Sequence, residues 1–257
     1  MPYTENHGLR IHYEVEGQGP TLVLQHGFTH SVRRWYLHGY VEALRNDYEL
    51  VLIDARGHGL SDKPHDRSAY TLAARVADVV AVLNDLNRPA ATFWGYSMGG
   101  RIGFGLAKYA PARITAFIIG GQHPYGRQLP ESSRLDGTDP DAFLAALFGR
   151  LNMNLDTIPP AIREDLLAND FRALAAAQQD ETSVEDVLPA MTMPCLLYVG
   201  DADPYHSGVQ KCARLIPNAR FVSLHALDHG SAFREAKLVL PHVTRFLQSA
   251  LRGDVKS

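Results

Sequence analysis

Apolar residues along this chain fall into two rhythms. Short, nearly continuous runs such as TLVLQ (residues 21–25), LVLID (50–54) and TFWGY (92–96) predict strands covered on both faces, as in a mainly parallel sheet. Residues 9–14 alternate after the His7-Gly8 turn and predict one further strand. Between the runs lie helical spacings, the clearest over residues 71–86, where Val76, Val79, Val80 and Leu83 recur on one face. Ile102, Leu106 and Tyr109 carry a second helix that Pro111 ends, and residues 114–119 predict the next strand.

The rhythm then breaks. From residue 122 to residue 190 two helical stretches, 140–150 and 160–179, follow one another without an intervening strand. Alternation resumes with strands at 195–199 and 220–224 and helices at 209–215 and 231–251. Strand alternating with helix implies an α/β fold with right-handed crossovers. The expected organisation is one core domain made of residues 1–121 and 191–257, interrupted by a helical cap at 122–190. Phe143, Leu144, Leu147 and Phe148 recur at helical spacing in that insertion, as residues roofing an apolar pocket would.

Composition narrows the function classes. The chain has 257 residues, of which 46% are hydrophobic, and a formal net charge of -3. That suffices for a full core and leaves no basic face for nucleic acid or an anionic membrane. The N-terminal stretch lacks a cationic segment followed by an apolar one, and no later stretch approaches the ~20 apolar residues of a membrane span, so a soluble cytoplasmic protein is expected. Cys195 and Cys212 have neither disulfide nor zinc spacing and read as buried thiols.

The chemistry gathers around GYSMGGR, residues 95–101. Here Gly-x-Ser-x-Gly joins a predicted strand to a predicted helix, a junction where a serine can be held in a sharp turn flanked by residues without side chains. Met98, opening the helix, would offer an unpaired backbone N–H to a developing oxyanion, and Phe28, in the loop His26-Gly27-Phe28 after an earlier strand, would offer a second. Of the 12 histidines, His229 lies between the final strand and the final helix, at the carboxyl end of the sheet, where it could serve Ser97 as base. Three acids compete to orient it: Asp203 is preferred for its place further out in the loop Gly200-Asp201-Ala202-Asp203-Pro204, ahead of Asp201 and Asp228.

With these motifs in order, the chain resembles the α/β-hydrolases. The resemblance rests on His26-Gly27-Phe28, the stretch from Asp54 to Asp62 (DARGHGLSD), the GYSMGG turn, GDADP and Asp228-His229-Gly230. It implies an α/β-hydrolase fold, Ser97 as nucleophile, His229 as base, Asp203 as acid, an oxyanion hole of Phe28 and Met98, and no cofactor. Arg56-Gly57-His58-Gly59 then resembles a structural turn near the site.

Serine at the nucleophile position sets the chain apart from dehalogenases and epoxide hydrolases of this fold, which use aspartate. The expected activity is cleavage of small carboxylic esters through an acyl-enzyme, with lactones as the alternative small-molecule substrate and peracid formation as a side reaction. HGFT and GYSMGGR also resemble the menaquinone-pathway synthase that eliminates pyruvate from a cyclohexadiene carboxylate. In that reading Arg101, one helical turn after Ser97, holds a substrate carboxylate. Otherwise Arg101 pairs with a protein carboxylate and braces the turn.

Overall fold

The computed structural model describes residues 2–129, 135–179 and 181–252, so Met1, 130–134, Asp180 and 253–257, which the expected domain boundaries include, lie outside the described residues. Eight strands form one sheet: β1 (Tyr3–Asn6), β2 (Leu9–Glu16), β3 (Thr21–Gln25), β4 (Glu49–Ile53), β5 (Ala91–Tyr96), β6 (Ile114–Gly120), β7 (Cys195–Gly200) and β8 (Ala219–Leu224). Their order across the sheet is β1-β2-β4-β3-β5-β6-β7-β8. Only the β1–β2 and β2–β4 pairs are antiparallel, and every other neighbour is parallel. This is the mainly parallel sheet that the apolar runs predict.

Alternate residues of the central strands feed two separate cores. Val23, Phe93, Ile119 and Leu197 join one cluster, and their chain neighbours Leu24, Trp94, Ile118 and Leu196 join the other. A strand with apolar residues on both sides needs helices on both faces, and ten α-helices are described. In chain order they are α1 (Arg33–Leu37), α2 (Tyr40–Leu44), α3 (Leu72–Asp85), α4 (Met98–Tyr109), α5 (Pro140–Arg150), α6 (Pro160–Leu167), α7 (Phe171–Ala177), α8 (His206–Ala213), α9 (Ser231–Arg234) and α10 (Ala236–Arg252). None is long and apolar enough to cross a membrane.

The structure departs from the periodicity in four places. β1 is a four-residue edge strand, too short to display a period. Helices α1 and α2 have five residues each and show none either. The expected helix over 160–179 is two, because the Asp170 carboxylate accepts the Ala173 N–H at 3.0 Å and starts α7 afresh. The expected final helix is likewise divided at Glu235, whose ψ of 60° leaves the helical region.

Between β6 and β7 stand α5, α6 and α7, and their apolar faces make a cluster of their own: Phe143, Leu144, Leu147, Phe148, Leu166, Phe171 and Leu174, with Phe28 packed against it. Phe143 and Leu144 serve that cluster, whereas Leu147 and Phe148 also reach the cavity described below.

Behind the carboxyl end of the sheet the loops are fastened by Asp54. Its carboxylate accepts the Val32 N–H at 2.8 Å, the Leu60 N–H at 2.9 Å and a hydrogen bond from His12 Nδ1 at 2.8 Å. Burial would raise this carboxyl, but His12, His26 and the two N–H groups outweigh it and hold Asp54 below the usual range. Gly59, at φ +52°, passes so close that a Cβ there would lie 2.1 Å from the Asp54 carboxyl carbon. Arg56 makes a two-pronged pair with Asp78, both bonds 2.7 Å. The stretch from Asp54 to Ser61 is therefore a braced turn.

His26 and His58 are both fully buried in this region, and burial lowers each imidazole from its ordinary value. The unfolded chain binds protons at these positions more readily than the folded one. Their contribution is complete above pH ~6.5 and is lost as pH falls below it, at up to about 1.4 kcal/mol per pH unit for each group. Urea unfolding between pH 7.5 and pH 5 should show this decline, and in His58→Asn the linked proton uptake should fall by about one.

Candidate active site

β5 ends at Tyr96 and α4 begins at Met98, leaving Ser97 alone to turn the chain. It does so at φ 53°, ψ -114°, a conformation costly for a residue with a side chain. Two bonds hold it there: Ser97 N–H donates to Gly120 O at 2.8 Å, and Arg101 N–H donates to Ser97 O at 3.0 Å. Both flanking glycines are compelled by contact. A Cβ on Gly95 would lie 2.2 Å from Gly99 O, and one on Gly99 would lie 2.1 Å from Gln25 O. The serine is thus pressed against the loop that leaves β3.

His229 comes from the turn between β8 and α9, and Asp203 from the loop after β7. Asp203 and His229 are buried, and Ser97 is half-buried. His229 Nε2 lies 2.9 Å from Ser97 Oγ, and His229 Nδ1 lies 2.7 Å from Asp203 Oδ2. An ionised carboxylate only accepts, so Nδ1 carries the proton and Nε2 is left to accept from the serine hydroxyl. The other Asp203 oxygen accepts the Tyr205 N–H at 2.8 Å.

The competing acids are committed elsewhere. Asp201 accepts from His225 Nδ1 at 2.9 Å and from the Ala226 N–H at 2.8 Å, on the surface. Asp228 accepts the N–H and hydroxyl of Ser231, both at 2.6 Å. Neither is hydrogen-bonded to His229, whose Nδ1 partner is Asp203.

Met98 is the first residue of α4, so its N–H has no acceptor within the helix. Gly27, immediately before Phe28, approaches Ser97 so closely that a Cβ would stand 3.4 Å from the Ser97 Cβ. Both expected oxyanion donors therefore belong to backbone beside the serine. His26 faces away from Ser97: Nδ1 donates to Gly27 O at 2.8 Å, and Nε2 accepts the Ala55 N–H at 3.1 Å. Burial pushes both cysteine thiols up to about 12, and both lie inside the fold. Among the described residues no group of three or more His, Cys, Asp or Glu side chains is arranged to hold a metal ion.

Ser97 and His229 open onto a cavity of about 450 Å³ between the sheet end and the α5–α7 segment, with Phe28, Leu147, Phe148 and Met153 among its apolar walls. Arg75, Arg101, Arg127 and Arg150 also line it. Arg101 has no ion pair with a carboxylate among the described residues. Its Nη1 donates to Pro124 O at 2.7 Å and its Nη2 to Thr182 O.

Sequence reasoning passed over three residues that touch this arrangement. The Tyr205 ring stands edge-on to His229, centroids 5.5 Å apart, and its hydroxyl accepts from Arg127 at 2.8 Å. The Tyr96 hydroxyl donates to His229 O. Tyr205 follows Asp203 by two residues, and that proximity was the available signal. Tyr96 adjoins Ser97 within the GYSMGGR motif and carried the same signal, whereas Arg127 gave none beyond its residue type.

Residues 20–179 match the family model described as alpha/beta hydrolase fold. A Bacillus subtilis protein provisionally named 2-succinyl-6-hydroxy-2,4-cyclohexadiene-1-carboxylate synthase is 25% identical, the match covering 93% of this chain and 96% of that protein. A pimeloyl-[acyl-carrier protein] methyl ester esterase of Xanthomonas oryzae pv. oryzae is 30% identical over 93% of this chain and 99% of its own length. Among solved structures, the enol-lactonase from Burkholderia xenovorans LB400 superimposes with a TM-score of 0.79 at 26% identity, covering 96% of this chain and 100% of that one.

Because only Asp203 reaches His229, the three acids should separate cleanly in a test of serine reactivity. With a fluorophosphonate reagent, Asp203→Asn should slow labelling of Ser97 by at least about 10³-fold, by the wrong-tautomer effect. Asp201→Asn should stay within about threefold of the parent, since its partner is a surface histidine. Equal losses in the two variants would remove Asp203 from its place.

Proposed function

The chain belongs to the alpha/beta hydrolase fold family, and from that premise we propose that it is a serine hydrolase cleaving small carboxylic esters, with Ser97 as nucleophile, His229 as base and Asp203 as orienting acid. One observation carries the reading: the unbroken hydrogen-bond chain Asp203–His229–Ser97, at 2.7 Å and 2.9 Å, ending at the wall of a cavity large enough for a small ester.

In this mechanism Ser97 Oγ attacks the ester carbonyl carbon as its proton passes to His229 Nε2. Asp203 stabilises the imidazolium through Nδ1–H. The carbonyl oxygen, now anionic, accepts the N–H groups of Phe28 and Met98, each worth about 3 to 4 kcal/mol by comparison with donor losses in other hydrolases. Collapse expels the alcohol, which takes the proton from His229, and leaves an acyl-Ser97. Water then attacks the acyl carbon, giving its proton to His229, and a second collapse returns Ser97 and releases the acid. The chemistry needs no group beyond these side chains and N–H donors.

Residues 122–190 act in this reading as a cap over a core of 1–121 and 191–257, with Leu147 and Phe148 against the acyl chain. Lactones fit the same steps, the alkoxide remaining tethered to the acyl group, and the likeness to an enol-lactonase supports them as substrates. A second reading has one observation behind it: Arg75, Arg127 and Arg150 line the cavity together with Arg101, whose guanidinium would have to leave its backbone partners Pro124 and Thr182 to hold a substrate. Guanidinium groups suit a carboxylate-bearing substrate, from which Ser97 and His229 would abstract a proton in an elimination of the kind for which the B. subtilis relative is named.

The deciding measurement is steady-state hydrolysis of p-nitrophenyl acetate, butyrate and octanoate by the parent protein and by Ser97→Ala. The parent should turn over, and the variant should lose at least about 10⁴-fold in kcat. Folded parent protein that leaves all three esters intact would transfer the assignment to elimination.

A further inference from the structure

Arg101 lines the cavity, yet its guanidinium is spent on backbone. Nη1 holds Pro124 O, on the connection that leaves β6, and Nη2 holds Thr182 O, on the connection that returns towards β7. Besides Arg101, these two connections are joined to each other by an Arg127–Glu181 ion pair at 3.0 Å and a short backbone ladder. Arg127 and Glu181 exchange N–H···O bonds of 2.8 Å in both directions, and Val184 N–H donates to the same Pro124 O at 2.9 Å. So short a ladder is marginal by itself, and its ion pair ties the two connections to each other but not to the helix that follows Ser97.

We infer that Arg101 is a positioning residue that clamps both roots of the α5–α7 segment to the helix bearing Ser97 at its start, and does not serve as a substrate anchor. Its own backbone N–H is bonded to Ser97 O, so the clamp begins one turn from the nucleophile. A planar guanidinium can present separate N–H groups to two carbonyls on different connections, which a lysine ammonium cannot do in the same geometry. The outgoing root continues the tie. Arg127 donates to Tyr205 OH at 2.8 Å, Tyr205 N–H donates to Asp203, and the Tyr205 ring faces His229. The roots are thereby fastened at one end to the serine turn and at the other to the acid and base, and the height of the roof over Ser97 is set by Arg101.

Hydrogen exchange and kinetics on Arg101→Met and Arg101→Lys test this. The kinetic half rests on the ester-hydrolase reading; the exchange half does not. In Arg101→Met the amides of Arg127, Glu181 and Val184 should exchange at least about tenfold faster while those of β5 and β6 stay within about twofold, with Arg101→Lys intermediate. KM for p-nitrophenyl octanoate should rise about tenfold and kcat for p-nitrophenyl acetate should change less than about threefold, because the short ester does not reach the roof. A merely structural loss would accelerate exchange throughout the chain and scale kcat equally for both esters, and that result would overturn the proposal. So would unchanged exchange at the three amides in folded variant, or a KM defect confined to p-nitrophenyl hydrogen glutarate, whose free carboxylate would mark an anchor. If Arg101→Met does not fold, Arg101→Lys carries the same comparison. A parent protein inert towards esters would refute the hydrolase reading, and the exchange rates would still decide the clamp.

Discussion

The approach of Gly99 to the Gln25 carbonyl is the contact on which the site depends. β3 and β5 are parallel neighbours with Gln25 opposite Gly95, so the loop after one strand and the turn after the other emerge side by side. Only the absence of a side chain at Gly99, where a Cβ would be 2.1 Å from Gln25 O, lets them close to contact distance. That closure puts Gly27 against Ser97 and brings backbone from two loops to one point. The same register continues outward: β6 supplies the Gly120 carbonyl that holds Ser97 N–H, and the loops after β7 and β8 supply Asp203 and His229. The parallel part of the sheet gathers all of these at one end without any long-range coincidence, because every strand from β3 to β8 ends there.

The ionisable groups behind this edge fall into two kinds. His26 and His58 are wedged between loops with lowered affinity for protons, and His26 is satisfied as a neutral ring by one carbonyl and one N–H. His229 has instead a carboxylate on Nδ1 and a hydroxyl on Nε2. Of these three rings His229 alone lies on the cavity wall with a carboxylate within hydrogen-bond distance. Asp54 also lies near His26, at 3.8 Å, but its oxygens are already shared among His12, Val32 and Leu60.

Much of this was legible in the residue order. The parallel strands announced themselves because burial on both faces forces continuous apolar runs, and the GYSMGG turn because close approach forces glycine. Asp203 was preferred to Asp201 on loop position alone, and the contacts of the two differ in that sense: Asp201, adjoining the strand end, is taken by Ala226 and His225 across the β7–β8 pair, whereas Asp203, further out, lies 2.7 Å from His229 Nδ1. What was hidden shares a different physics. Helices α1 and α2 are shorter than one and a half turns, so they carry no period. The break before α7 depends on one capping carboxylate, Asp170, in a stretch otherwise fit for helix. The partners of Arg101 are main-chain carbonyls, which no pattern of side chains reveals, so an arginine that the residue order offered as a carboxylate ligand is found on Pro124 and Thr182.

Phe28 joins the two halves of the molecule in a way that bears on rate as well as on fit. Its backbone stands beside Ser97, where it is proposed to receive the oxyanion. Its ring packs against Phe143 of α5 at 6.3 Å and edge-on to the buried His58 at 5.4 Å. Electrostatic stabilisation of a transition state depends on donors already fixed where charge will appear, with no reorganisation left to make during the reaction. A donor whose own side chain is gripped between the helical segment and the braced turn meets that condition. Displacement of α5 would then be felt at the oxyanion through Phe28 as well as at the acyl pocket through Leu147 and Phe148. Arg101 holds instead the Pro124 and Thr182 carbonyls at the roots of the segment, so the proposed clamp bears on the height of the roof and not on the contact between Phe28 and α5.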